Sequence, residues 1–131
     1  MKRVMVVQSS PIVLELVKKR ISAIFPHLRD YVSYQSNFEK TLEEIPKKGE
    51  IIVIASDSYH DDKNIRFLDE EKDGNRLAEE IKKINPEAKV YIFSMYEPRH
   101  GYIDGFYKKS HLGDNTLDEI IEIFIDLGLN A

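Results

Sequence analysis

Ile51-Ile52-Val53-Ile54-Ala55 is an unbroken apolar run of strand length, bounded by Gly49-Glu50 before it and Ser56-Asp57-Ser58 after it. A strand with one wet face alternates apolar and polar residues. A continuous run belongs to a strand covered on both faces, as in a parallel sheet sandwiched by helices. Working outward, Val4-Met5-Val6-Val7 has the same character. Residues 31–35, 89–93 and 105–108 read as three further strands. Between them the spacing turns helical. Ser10 offers an N-cap and Pro11 a first helical residue, and Ile12, Val13, Leu16, Val17, Ile21 and Ile24 follow at helical intervals up to Pro26. Residues 38–45 form a short helix closed by Pro46 and Gly49. Leu77, Ala78, Ile81 and Ile84 mark one face of a third helix that stops before Asn85-Pro86. Thr116-x-x-Glu119, a capping-box pattern, opens a last helix running to about Gly128.

The order β-α-β-α-β-α-β-loop-β-α predicts an α/β fold: a doubly wound, five-stranded parallel sheet in a three-layer sandwich, with right-handed crossovers. In such sheets the binding crevice lies at the carboxyl ends of the strands. Chemistry is therefore expected at residues 8–10, 55–58, 94–96 and 108–110.

Composition narrows the class. The 131 residues suit one domain over 1–131, with 42% apolar residues for a core and 32% charged residues for a solvated surface. No apolar run approaches the ~20 residues of a membrane span. The basic, apolar start Met1-Lys2-Arg3-Val4-Met5-Val6-Val7 is too short for a signal peptide and runs into Gln8-Ser9-Ser10-Pro11, so it reads as a buried strand. Absence of cysteine excludes disulfides and thiolate sites and agrees with a cytoplasmic location. The net charge is −4. The basic pairs are scattered among carboxylates, so no nucleic-acid footprint is expected, nor a membrane partner.

The four strand ends resemble those of response-regulator receiver domains, and the resemblance spans essentially the whole chain. It rests on Lys2-Arg3-Val4-Met5-Val6-Val7 with Pro11, on Asp73-Gly74-Asn75-Arg76-Leu77 with Asn85-Pro86, on Ala88 to Ser94, and on Gly105-Phe106-Tyr107-Lys108-Lys109-Ser110. Such domains accept a phosphoryl group from a sensor kinase onto an aspartate after the third strand. The resemblance implies an acid pair for Mg²⁺, a hydroxyl and a lysine for the phosphoryl oxygens, and a switch aromatic.

Carried over position by position, the acid pair falls on Gln8 and Ser9, and neither supplies a negative charge. The acceptor position, counted from the start of the third strand, falls on Ala55. Asp57, two residues on, shares its strand parity and is the candidate phosphoacceptor. Ser94 takes the place of the hydroxyl, Lys109 that of the lysine and Phe106 that of the switch aromatic, while Ser110 replaces the family's proline.

Two changes of length accompany these substitutions. The stretch from 58 to 73 is long and holds Asp61, Asp62, Asp69, Glu70 and Glu71, read as solvated loop charges, with a cation site from an unusual direction as the alternative. Only ten residues separate Ser94 from Gly105, Pro98 among them, so the family's fourth helix is expected to be missing or very short. Tyr96, Tyr102, Phe106 and Tyr107 cluster there, either as interface anchors or as cover for exposed sheet. On the last helix Ile123 and Ile125 widen the stripe of Leu117, Ile120, Ile121 and Phe124, which predicts a second contact on that side, with a homodimer as one form of it.

Other chemistries find little support. His27, His60, His100 and His111 make no His-x-x-x-His pair. There is no Gly-x-Ser-x-Gly elbow and no glycine-rich phosphate loop, and Gln8-Ser9-Ser10-Pro11 is a thin imitation of a flavin phosphate loop. The expected function is a degenerate receiver (a pseudo-receiver of a two-component or phosphorelay type). It binds a sensor kinase or an effector, is not an enzyme and has no cofactor. A phosphorylatable receiver using Asp57, with Mg²⁺, is the alternative. The second alternative is a small-molecule or nucleotide-binding protein using the crevice around Ser9, Ser94 and Lys109.

Overall fold

In the computed structural model, which describes residues 3–57, 73–109 and 116–129, the two most apolar runs lie side by side. Strand β1 (Arg3–Val7) pairs in parallel with β3 (Ile51–Ala55), from Arg3 beside Ile51 to Val7 beside Ala55. On the other side of β1 lies β2 (Val32–Gln35). Beyond β3 come β4 (Lys89–Ser94) and β5 (Gly105–Lys108). All pairings are parallel and the order is β2-β1-β3-β4-β5, the doubly wound sheet expected from the alternation of elements.

Strand parity divides the core in two. Met5, Val7, Val53, Ala55, Val90 and Ile92 face helices α2 (Phe38–Glu44) and α3 (Gly74–Ile84). Val4, Val6, Ile52, Ile54 and Phe93 face α1 (Pro11–Ile24) and α4 (Thr116–Asp126). Local chemistry sets the helix starts. The hydroxyl of Ser10 accepts from the Val13 N–H at 3.3 Å with Pro11 following it, Asn37 Oδ1 accepts from Lys40 at 2.9 Å, and Asp73 Oδ1 accepts from Arg76 at 2.8 Å. Fully buried Asn85 ends α3 and ties it to the turn before β3: its amide donates to the Gly49 carbonyl at 2.9 Å and its oxygen accepts from Glu87 at 2.9 Å.

Two helix faces differ from the spacing-based reading. On α1 the inward ridge is Val13, Leu14, Val17 and Ile21, leaving Ile12 77% exposed and Leu16 and Ile24 exposed as well. Two apolar ridges run along this helix, and only one can face a sheet. On α4 the wide stripe is largely absorbed by the protein's own core, since Ile120, Ile123 and Phe124 are buried and Leu117 and Ile121 pack against them; Ile125 alone of the set is exposed.

The expected loss of a helix before β5 is observed: residues 95–104 run without one. Asp104 closes the segment by imitating a strand residue. Its N–H donates to the Val90 carbonyl at 2.7 Å and its carboxylate accepts from the Val90 N–H at 2.7 Å, while Lys82 lies 2.9 Å from the same oxygen. Ile103 then packs against the α3 side of the core. Replacing Asp104 by Ala strands the Val90 N–H, so urea unfolding should show a loss of about 1–3 kcal/mol. Asp104→Asn, which keeps an acceptor, should lose clearly less, and equal losses would contradict this role.

Candidate functional site

The strand ends meet at one edge of the sheet. Pairing of β1 runs past Val7, because the Gln8 N–H donates to Gln35 at 3.1 Å and the Ser56 N–H donates to Val7 at 3.0 Å. The Ser9 N–H donates to Ser56 Oγ at 3.2 Å, which joins the first two strand ends directly. Since Ala55 lies beside Ile92, extending that register by two residues sets Asp57 level with Ser94. Ser94 in turn pairs with Lys108, and the Lys109 N–H donates to the Ser94 carbonyl at 2.7 Å. The structure thus brings Ser9, Asp57, Ser94 and Lys109 to the same sheet end. Phe106 is half-buried beside Ile92.

Although β3 stops at Ala55, Asp57 keeps the parity of that strand and is half-buried. The Gly74 N–H donates both to its carboxylate Oδ1 and to its carbonyl, each at 3.0 Å. Space is tight at 74: a Cβ there would lie 2.6 Å from Ile92 Cδ1 and 2.9 Å from Asp57 Oδ1, so those side chains would have to shift. Burial pushes the Asp57 carboxyl above the usual carboxylate range; the Gly74 N–H opposes this, the Asp73 charge adds to it and the Arg99 charge relieves it.

Asp73 goes the other way. Burial alone would raise it, but hydrogen bonds from the Arg99 guanidinium and the Arg76 N–H, with the Arg99 charge, hold its carboxyl below the ordinary value. Arg99 is bidentate, with Nε on one oxygen and Nη2 on the other at 3.0 Å.

Arg99 goes unremarked in the sequence, and Asn75 is read there only as part of the Asp73-Gly74-Asn75-Arg76-Leu77 stretch. Asn75 is buried, and its Oδ1 accepts from the Tyr102 N–H at 2.9 Å, while Gly101 rests on the same side chain with φ +143°. Asp73, Asn75 and Arg99 therefore fasten the helix-free segment to the start of α3. A glycine and a base in a segment too short for a helix were the available signals.

Gln8 is buried, and its side-chain nitrogen has no hydrogen-bond partner among the described residues. Mg²⁺ takes hard oxygen ligands, several of them anionic. An amide at 8, a hydroxyl at 9 and an Asp57 carboxylate already holding a backbone N–H do not fit that ion. Among the described residues no cluster of three or more His, Asp or Glu side chains could hold a metal. The acids of the 58–73 stretch other than Asp73 lie outside the described residues, as do His60, Ser110 and His111. No helix among the described residues is long and apolar enough to cross a membrane.

The order 2-1-3-4-5, with these side chains gathered at the carboxyl ends, is consistent with a receiver-type fold. No family model matches the chain, and no curated protein matches it. Solved structures do. A CheY-like receiver domain protein from Methanospirillum hungatei JF-1 superposes with a TM-score of 0.63 at 16% identity, covering 100% of this chain and 99% of that one. The response regulator TrrA from Thermotoga maritima, in complex with Mg²⁺ and BeF, gives 0.58 at 21%, covering 94% and 99%. The isolated REC domain of RcsB from Salmonella enterica serovar Typhimurium, with phosphomimetic BeF3−, gives 0.57 at 17%, covering 95% and 88%. At these identities the likeness establishes the fold.

Two outcomes test the Asp57–Gly74 junction. Gly74→Ala should cost about 1–3 kcal/mol through overpacking. Asp57, with its raised pKa, favours the folded state at low pH, and that contribution is lost as pH rises through its folded pKa. Asp57→Asn should therefore raise the urea midpoint at pH 7 and leave it nearly unchanged near pH 4. A lower midpoint at pH 7 would show the carboxylate to be stabilising instead.

Proposed function

We propose that this chain is a receiver-like signalling module of a two-component type that works through protein–protein contacts, without Mg²⁺-dependent aspartyl phosphorylation and without enzymatic activity. The observation that carries the reading is the state of Asp57, whose carboxylate caps the α3 N-terminus through Gly74 at 3.0 Å. Gln8 and Ser9 at the acid-pair positions support it, since they leave the pocket without the negative field that would hold a divalent cation beside an incoming phosphoryl group. The internal Arg99–Asp73 pair points the same way: it brings a guanidinium of the chain itself close enough for its charge to act on Asp57.

What survives of the family's apparatus is a switch without its trigger. Ser94 and Phe106 lie on neighbouring strands, and the Ser94 hydroxyl accepts from the Tyr96 N–H at 3.3 Å. The partner is a protein, a sensor kinase or an effector, and the cytoplasm is the matching compartment.

The second reading, a receiver phosphorylated at Asp57 with Mg²⁺ held by loop acids, is favoured by one observation, the register that sets Asp57 level with Ser94. Incubation with acetyl phosphate and Mg²⁺ followed by intact-mass measurement separates the two. The expected result is no phosphoryl adduct on folded protein. An adduct that disappears in Asp57→Asn would overturn the first reading and establish the second.

A further inference from the structure

Strands β2 and β5 are the two edges of the sheet. Natural proteins guard sheet edges with charge, proline or a covering element, and β5 ends in Lys108. Residues 31–35, Tyr-Val-Ser-Tyr-Gln, hold no charge, proline or glycine, and their valine and tyrosines favour extended backbone.

The pairing of β2 with β1 fixes which backbone groups are left over. The Val4 N–H donates to the Tyr31 carbonyl at 2.8 Å and the Gln8 N–H to the Gln35 carbonyl at 3.1 Å. In a parallel ladder, residues that bond to the neighbouring strand alternate with residues that face away from it. Tyr31, Ser33 and Gln35 therefore serve β1, while Val32 and Tyr34 turn their N–H and C=O groups outward. Both ends of this open stretch are closed locally. The Tyr31 N–H donates to Leu28 at 2.8 Å, and Gln35 Oε1 accepts from the Ser36 and Asn37 N–H groups at 2.9 and 3.3 Å.

Neither neighbouring helix closes over the edge. A cavity of about 640 Å³ lies beside Lys18 and Ser22 of α1, and another of about 420 Å³ beside Met5 and Glu44 on the α2 side. Asp30, Val32, Ser33 and Tyr34 line both. Lys18 stands 5.9 Å from the centre of the Tyr34 ring. The charged groups of the two cavities are Lys18, Arg29 and Arg3 against Asp30 and Glu44. A surface of one sign calls for a partner of the other, whereas this mixture suits a copy of itself.

We infer that the outer edge of β2 pairs antiparallel with the same edge of a second copy of this chain, with Ser33 on the two-fold axis. The two sheets then become one of ten strands, five from each copy. In this register Val32 of each copy stands opposite Tyr34 of the other, and each such pair exchanges both of its backbone hydrogen bonds. The two N–H and two C=O groups left outward on each copy are all satisfied. A β-branched residue opposite an aromatic ring is also a favourable cross-strand pair. Antiparallel pairing carries the Asp30 end of one strand towards the Tyr34 end of the other, where Lys18 lies, and the symmetry repeats that meeting of charges. The inference is independent of the reading of Asp57.

Sedimentation equilibrium of the full chain tests it, at loadings up to about 1 mM because so short an edge falls at the small end of specific interfaces. A reversible monomer–dimer equilibrium is expected. Ser33 is exposed, and on the axis it stands directly opposite its own copy. Ser33→Lys and Ser33→Glu should therefore each weaken the dimer roughly tenfold, because each sets like charges face to face. An equimolar mixture of the two variants should recover association as a heterodimer at least as tight as the parent dimer.

Ile125→Lys, at the exposed apolar position of α4, should leave the dimer unchanged, and far-ultraviolet circular dichroism verifies the fold of every variant. A monomer at all loadings, a dimer lost in Ile125→Lys but kept in Ser33→Lys, or failure of the mixed variants to associate would each overturn the β2 contact. None of these results bears on whether Asp57 accepts a phosphoryl group, which the mass measurement decides separately.

Discussion

One backbone N–H, that of Gly74, holds the centre of the structure together. It is shared at 3.0 Å between the carbonyl and the carboxylate of Asp57, so the end of β3 and the start of α3 form a single unit despite the fifteen residues between Asp57 and Asp73. The contact is helped by the absence of a side chain at 74, since Ile92 and Asp57 reach into the place of a Cβ. It also sets the Asp57 carboxylate against the first turn of α3. The Gly74 N–H occupies one oxygen of that carboxylate, Oδ1.

The segment between β4 and β5 depends on that arrangement. With no helix between β4 and β5, residues 95–104 are held by polar contacts that include Arg99 to Asp73, Tyr102 N–H to Asn75, and Asp104 to both backbone groups of Val90. Asp73 and Asn75 flank Gly74, so the clamp on this segment and the cap on α3 are one cluster of neighbouring residues. Asp57 is thus two contacts from the exposed ring of Tyr102, through Gly74 and its neighbour Asn75.

Much of this fold was legible in the sequence. Continuous apolar runs at 4–7 and 51–55 announce strands buried on both faces, and Ser10-Pro11, Asp73-Gly74 and Asn85-Pro86 mark helix ends that the structure reproduces within a residue. The missing helix was legible too, because ten residues with an internal proline cannot span it. Which ridge of α1 turns inward was not, since Ile12–Leu16 and Val13–Val17 are equally good stripes until a sheet chooses between them. At the site, the types of residue at 8, 9, 94 and 109 were readable from order and spacing. The commitment of Asp57 to Gly74 was not, because it depends on a contact across a long loop. Nor was Arg99, whose partner Asp73 lies 26 residues away in sequence. Long-range polar pairs leave no periodic trace.

The proposal that the pocket works without a divalent cation is tested most directly by paramagnetic broadening. Mn²⁺, a close stand-in for Mg²⁺, is titrated into isotopically labelled protein while the amide signals of Ser9, Ala55, Asp57 and Gly74 are followed. The expected result is no selective loss of these signals relative to amides at the opposite end of the sheet, such as Arg3 and Ile51. Selective, saturable broadening at Ser9 and Asp57, reversed by excess Mg²⁺, would contradict it.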